Sequence, residues 1–160
     1  AGGKFYLFDI SKICNRPLID DGSKNSWFGF GPHQDMRNMP TGEQTLAKVK
    51  FKIIDQENNN GKSCLVLNGR NGEQFPRYGG KVNIYNCMKF LAFHHASAYA
   101  KSGEIIGTYR IKFESGKVVD LPVIEGKHVN DWYYGPVTLG DAWPGWVGRI
   151  GDGTEVSTYV

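Results

Sequence analysis

The residues best placed to do chemistry in this chain are aromatic. Trp27, Phe28 and Phe30 are interleaved with Gly29 and Gly31. Trp132, Tyr133 and Tyr134 follow a turn, and Trp143 and Trp146 come after them. Aromatic faces stack on the apolar faces of sugar rings, while flanking Asn, Asp, Arg and His supply directed hydrogen bonds to hydroxyls. One such contact contributes about 0.5 to 1.5 kcal/mol beyond burial, by analogy with aromatic pairs. The pattern predicts a glycan-binding surface with Trp27, Trp132, Tyr134, Trp143 and Trp146 as stacking residues and His33, Arg37 and Asp131 as polar partners. A structural role competes at each ring, that of capping the open end of a sheet packing. Arg37 reads first as an internal partner that holds the turn from Asp35 to Gly42.

Motifs for catalysis are missing from the sequence. It has no G-x-S-x-G elbow, no H-E-x-x-H pair, no EF-hand loop and no N-x-S/T sequon. Gly61-Lys62-Ser63 ends like a phosphate loop, but the earlier glycine would fall on Gln56, which excludes that reading. The adjacent His94 and His95 point to opposite faces if they lie on a strand, one to the core and one to solvent. His33 and His128 have no supporting metal-ligand spacing. The expectation is a non-catalytic protein without a cofactor, with calcium on loop carbonyls and Asp side chains the leading metal alternative, ahead of zinc. Cys14, Cys64 and Cys87 allow at most one internal disulfide, and none forms a C-x-x-C pair. Cys64 reads as a small buried thiol.

The elements that must position these residues are short strands. The chain has 160 residues, 21 glycines and 13% aromatics, a composition of strands and tight turns. Its length fits a single domain over residues 1–160. Nineteen Lys and Arg against sixteen Asp and Glu are interspersed in sign, which argues against a nucleic-acid-binding tail or a polybasic membrane anchor. No apolar run approaches the roughly 20 residues of a membrane-spanning helix. Strands are predicted near Phe5 to Asp9, Val49 to Ile54, Ser63 to Leu67, Lys81 to Ile84, Lys89 to His95, Ile105 to Phe113, Lys117 to Val123 and Asp131 to Tyr134. The clearest unit is the hairpin from Ile105 to Val123. Tyr109, Ile111 and Phe113 share one face, and Gly116 sits where a left-handed residue is wanted. Phe90 to Ala100 fits strand and loop better than helix. Asn15 to Gln44 and Tyr134 to Thr154 read as long functional loops. Ala1-Gly2-Gly3 is compatible with the remnant of a cleaved leader, which points to a secreted or cell-surface protein.

Phe8 to Lys12, Asp35 to Gly42, Val49 to Asp55 and Gly61 to Gly69 carry a resemblance. Phe93 to Ala96, Gly107 to Phe113 and Asp131 to Tyr134 continue it in order. Over most of its length the chain resembles a galactose-binding-like β-sandwich of the kind that accompanies bacterial glycoside hydrolases and surface proteins. The resemblance implies an all-β, antiparallel jelly-roll or discoidin-like sandwich with a non-catalytic, carbohydrate-related role and a polysaccharide or oligosaccharide partner. Similar domains run on past a segment like Glu155 to Val160.

That last segment is itself predicted to be a strand, with Val156, Thr158 and Val160 on one face and Ser157 and Tyr159 on the other. An unpaired edge there would invite strand addition. Either Phe5 to Asp9 closes the sheet, or a neighbouring chain does. The second outcome belongs to an alternative function, a structural or assembly subunit whose aromatic loops are interface anchors and which forms a homo-oligomer through the edge strand.

Overall fold

The computed structural model describes residues 4–23, 26–27 and 29–160. Phe28 and the segment Ala1 to Gly3 lie outside the described residues. Among the described residues there is no α-helix. Short 3-10 turns occupy Ser11–Ile13 and Gln56–Asn58. The second is capped by Asp55, whose carboxylate accepts the Glu57 N–H at 3.0 Å.

Among the described residues six strands pair as three antiparallel hairpins, so the protein is all-β. β1 (Gly42–Leu46) pairs with β2 (Val49–Ile53), β3 (Ile105–Lys112) with β4 (Val118–Ile124), and β5 (Pro144–Arg149) with β6 (Glu155–Tyr159). The predicted hairpin is β3–β4. Tyr109 lies opposite Leu121 and Ile111 opposite Val119, which puts apolar cross-strand pairs on one face. Arg110 and Asp120 oppose each other on the other face, with a guanidinium–carboxylate contact of 2.7 Å. The turn closes through Gly116 at φ 84°, a conformation glycine adopts without steric penalty.

The sequence reading missed β1 and β5, placing them in loops. Leu46 pairs directly with Val49, leaving a two-residue turn in which Ala47 (φ 48°) and Lys48 (φ 66°) both take positive φ. That is the geometry of a type I′ turn, for which Asn-Gly is the usual sequence signal. In β5, Pro144, Gly145 and Gly148 hide the strand pattern.

Five expected strands do not form. Phe5 to Asp9 and Lys81 to Ile84 are irregular. Ser63 to Leu67, Lys89 to His95 and Asp131 to Tyr134 contribute single bridges: Arg16 with Cys64, His95 with Tyr159, and Ser97 with Asp131. Around Ser63 to Leu67, bonds to loop groups replace the ladder. Asn15, for instance, holds both Val66 main-chain groups with its side-chain amide, at 2.8 and 2.9 Å.

The edge expected at the C-terminal strand is absent, because β6 is paired on both sides. Its even-numbered residues face β5, where Val160 and Trp143 exchange two backbone bonds of 2.9 Å. Its odd-numbered residues face inward loops. Tyr159 and His95 exchange bonds of 2.8 and 3.0 Å, and the Ser157 N–H donates to the Trp132 carbonyl at 3.0 Å. Both closing partners expected from the sequence are therefore replaced by segments near His95 and Trp132. The expected face assignment holds, with both faces covered. Val156 belongs to a core with Leu18, Trp27, Met36, Met39, Leu46, Ile53, Trp132 and Ile150. Tyr159 belongs to a second core with Val123, Val129 and Ala142.

Candidate functional site

Loop 18–37 is organised by two buried carboxylates. Asp20 is fully buried and accepts backbone N–H groups from Gly22, Gly29, Phe30 and Gly31. Asp35 accepts the Asp20 N–H at 2.7 Å and the Arg37 guanidinium in a two-pronged contact, Nε to Oδ1 at 2.9 Å and Nη2 to Oδ2 at 2.7 Å. Carboxylates satisfied by several N–H donors are favourable inside a protein. Arg37 is therefore an internal partner, and its hydrogen bonds to Asp35 raise its pKa further above the usual arginine range.

This frame turns Trp27 inward. Trp27 meets Trp132 edge-on with ring centroids 4.5 Å apart, and they are only 5% and 4% exposed. Neither ring is available for stacking on a ligand, which corrects the expectation for both. Asp131 is also committed locally, accepting the Tyr99 N–H at 2.8 Å and the Tyr133 N–H at 3.0 Å.

The remaining expected residues do reach the surface. Trp143 is 65% exposed and Tyr134 62%. Trp146 is half-buried against the first core, and its ring lies along β5 over Gly148. A Cβ at position 148 would come within 2.1 Å of that ring. Gly148→Ala is thus expected to swing Trp146 outward, red-shifting tryptophan emission and lowering the thermal midpoint. Unchanged emission and midpoint would contradict the packing.

His33 is exposed and stands in a polar cluster that the sequence reading did not assemble. Its carbonyl accepts the Asp152 N–H at 3.2 Å. The Tyr133 hydroxyl donates to Asp152 Oδ2 at 2.9 Å, and Gln34 Nε2 approaches the same oxygen at 3.4 Å. The Asp152 carboxyl is held below its ordinary range, chiefly by the Thr154 N–H and hydroxyl, with Tyr133 and Gln34 adding to the effect. The signal available in the sequence was the turn Gly151-Asp152-Gly153-Thr154, which returns the chain beside His33.

The histidine pair splits between the two faces, yet neither ring is left in solvent. His94 Nε2 lies 2.6 Å from Thr158 Oγ1, and burial pushes its pKa down to about 4. His95 Nε2 faces the His128 carbonyl at 3.0 Å, so it carries the proton, and Nδ1 accepts the Tyr109 hydroxyl at 3.0 Å. The three cysteines are unpaired. Desolvation pushes the Cys64 thiol up to about 12, but Cys64 is only half-buried and Cys14 is the buried thiol. Among the described residues no cluster of three or more His, Cys, Asp and Glu side chains is arranged to hold a metal.

The second surface is the apolar side of β3–β4. Near its base Phe93 stacks on Tyr109 with centroids 3.7 Å apart. Towards the tip the cover ends, leaving Phe113 and Leu121 exposed.

The fold and these surfaces define a class, an all-β protein of antiparallel hairpins with exposed aromatic and apolar faces. No family model matches the chain, and no solved structure matches it. It is 30% identical over 112 residues to urease subunit beta of Yersinia pestis and of Yersinia pseudotuberculosis serotype O:1b (strain IP 31758). Those matches cover 68% of this chain and 72% of each relative. The chain belongs to the urease subunit beta family. This corrects the expectation of a protein apart from enzymes, because the relatives are components of one.

Proposed function

We propose that this chain is a subunit of a multi-subunit enzyme, which it joins through the apolar side of β3–β4. The observation that carries the reading is the apolar side on which Phe113 and Leu121 are 48% and 39% exposed and the Ile111–Val119 pair between them is only half-buried. Uncovered apolar surface of this kind is typical of protein contacts. The relatives' name, a urease subunit, supports membership of an assembly and makes a urease-type complex the first to test. A tagged chain recovered from its own cells is expected in a stoichiometric complex far larger than 17.9 kDa by light scattering. Phe113→Lys at the hairpin tip is expected to release it with its circular dichroism unchanged. Recovery of the wild-type chain at monomer mass would overturn the reading.

Glycan binding is a second reading, supported by the exposed Trp143 and Tyr134 rings and by the nearby chemistry of His33, Gln34, Tyr133 and Asp152. It goes with a galactose-binding-like jelly roll closed around β6, with cores on both faces of that strand. Loss of glycan-array binding in Trp143→Ala and Tyr134→Ala would support it, and a blank array for the wild-type chain would remove it.

A further inference from the structure

The β1–β2 hairpin turns Val49, Phe51 and Ile53 inward and presents Lys50 and Lys52 to solvent, opposite Thr45 and Glu43. Lys48 precedes them in the turn, and all three lysines are exposed. Alternate residues on a strand are about 6.6 to 6.8 Å apart, so Lys50 and Lys52 continue from the turn as a spaced cationic row. Among the described residues none of the three has a carboxylate within 4.0 Å. Glu43, across from Lys52, is the one acid in register with the row. Asp9 also lies near Lys52, but Lys12 stands beside it as a further cation.

The turn adds an independent observation. Ala47 and Lys48 both hold positive φ without being glycine, a conformation that crowds Cβ against the backbone. Glycine or asparagine at position 48 would make the same turn without that crowding. The lysine thus sits where it strains the backbone, at the end of a row of lysines that, among the described residues, have no carboxylate within 4.0 Å.

We propose that Lys48, Lys50 and Lys52 bind a linear acidic polysaccharide, with each ammonium group meeting a carboxylate or sulfate along the chain. The neighbouring face residues, Thr45 and Glu43, offer no ring on which bases could stack, which disfavours single-stranded nucleic acid. The apolar side chains of β2 point inward, so nothing on this face inserts into a lipid surface. The row shares no residue with the β3–β4 face or with the Trp143 and Tyr134 surface, so its test is separate from both readings above.

The test uses the full chain with heparin and polygalacturonate as sulfated and carboxylated probes, measured by calorimetry across salt concentrations. Three contacts predict that log affinity falls with log salt at a slope of about 2. Lys50→Gln with Lys52→Gln is expected to weaken binding about tenfold or more, with the fold intact by circular dichroism. Lys48→Gly separates the roles of that position, since it should weaken binding about threefold while raising the thermal midpoint. Absence of binding to both probes at low salt overturns the proposal. So does binding that survives the double variant, or tighter binding to poly(dT) or to phosphatidylserine vesicles than to either polysaccharide.

Discussion

Tyr159→Ala is expected to cost about 3 to 5 kcal/mol, the range for removing a large buried aromatic ring, and to leave the chain largely unfolded at 37 °C. Tyr159 is fully buried in the second core beside Val123, Val129 and Ala142. Its hydroxyl receives the Ser157 hydroxyl at 3.2 Å and the Val137 N–H at 3.3 Å. Truncation therefore removes packing and two hydrogen bonds together, although the Ser157 hydroxyl keeps the Tyr134 carbonyl at 3.0 Å. Tyr159→Phe retains the ring and is expected to cost only about 1 kcal/mol. Urea midpoints for the two variants decide the matter, and equal midpoints would show that the ring does not hold the core.

Acid should destabilise the protein through His94. Its pKa falls from 6.5 to about 4 because the ring is buried, with His95 adding a smaller push in the same direction. The unfolded chain then binds a proton that the folded chain refuses. Stability is complete above the unfolded value, declines as pH falls below 6.5, and levels off near pH 4. The loss is about 3 to 4 kcal/mol, at about 1.4 kcal/mol for each pH unit between the two values. His95, also lowered by burial, acts in the same sense. His94→Gln keeps a polar contact to Thr158 without the titration, so its decline over this pH range should be much shallower. Identical pH profiles for wild type and variant would refute the assignment.

Legibility in the sequence followed local chemistry. β3–β4 could be read because alternation and a glycine turn agree over the whole hairpin. β1 could not, since Ala47-Lys48 makes a glycine-type turn without glycine. β5 contains a proline and two glycines, and its strand exists because β6 pairs with it. The surface was legible in part. Trp143 and Tyr134 are exposed as expected. Trp27 and Trp132 went the other way because Asp20 and Asp35 gather a glycine-rich stretch into an ordered loop and draw its tryptophan into the core. No periodicity encodes that event. It depends on a carboxylate meeting four N–H groups two to eleven residues away. The cluster of Gln34, Tyr133 and Asp152 joins segments about a hundred residues apart, a separation beyond any local pattern.

The placement of β6 bears on how the protein comes into being. The strand between the two cores follows all of its partners in chain order, His95 and Trp132 included. A nascent chain ending before Glu155 lacks Val156 for one core and Tyr159 for the other. Until then the apolar side chains of both cores stay without their central neighbour, exposed to other chains. Such late, long-range closure makes folding slow and prone to aggregation while incomplete. The growing chain should therefore depend on chaperone protection until residues 155–159 have left the ribosome, and a stall just before them should yield a protease-sensitive intermediate.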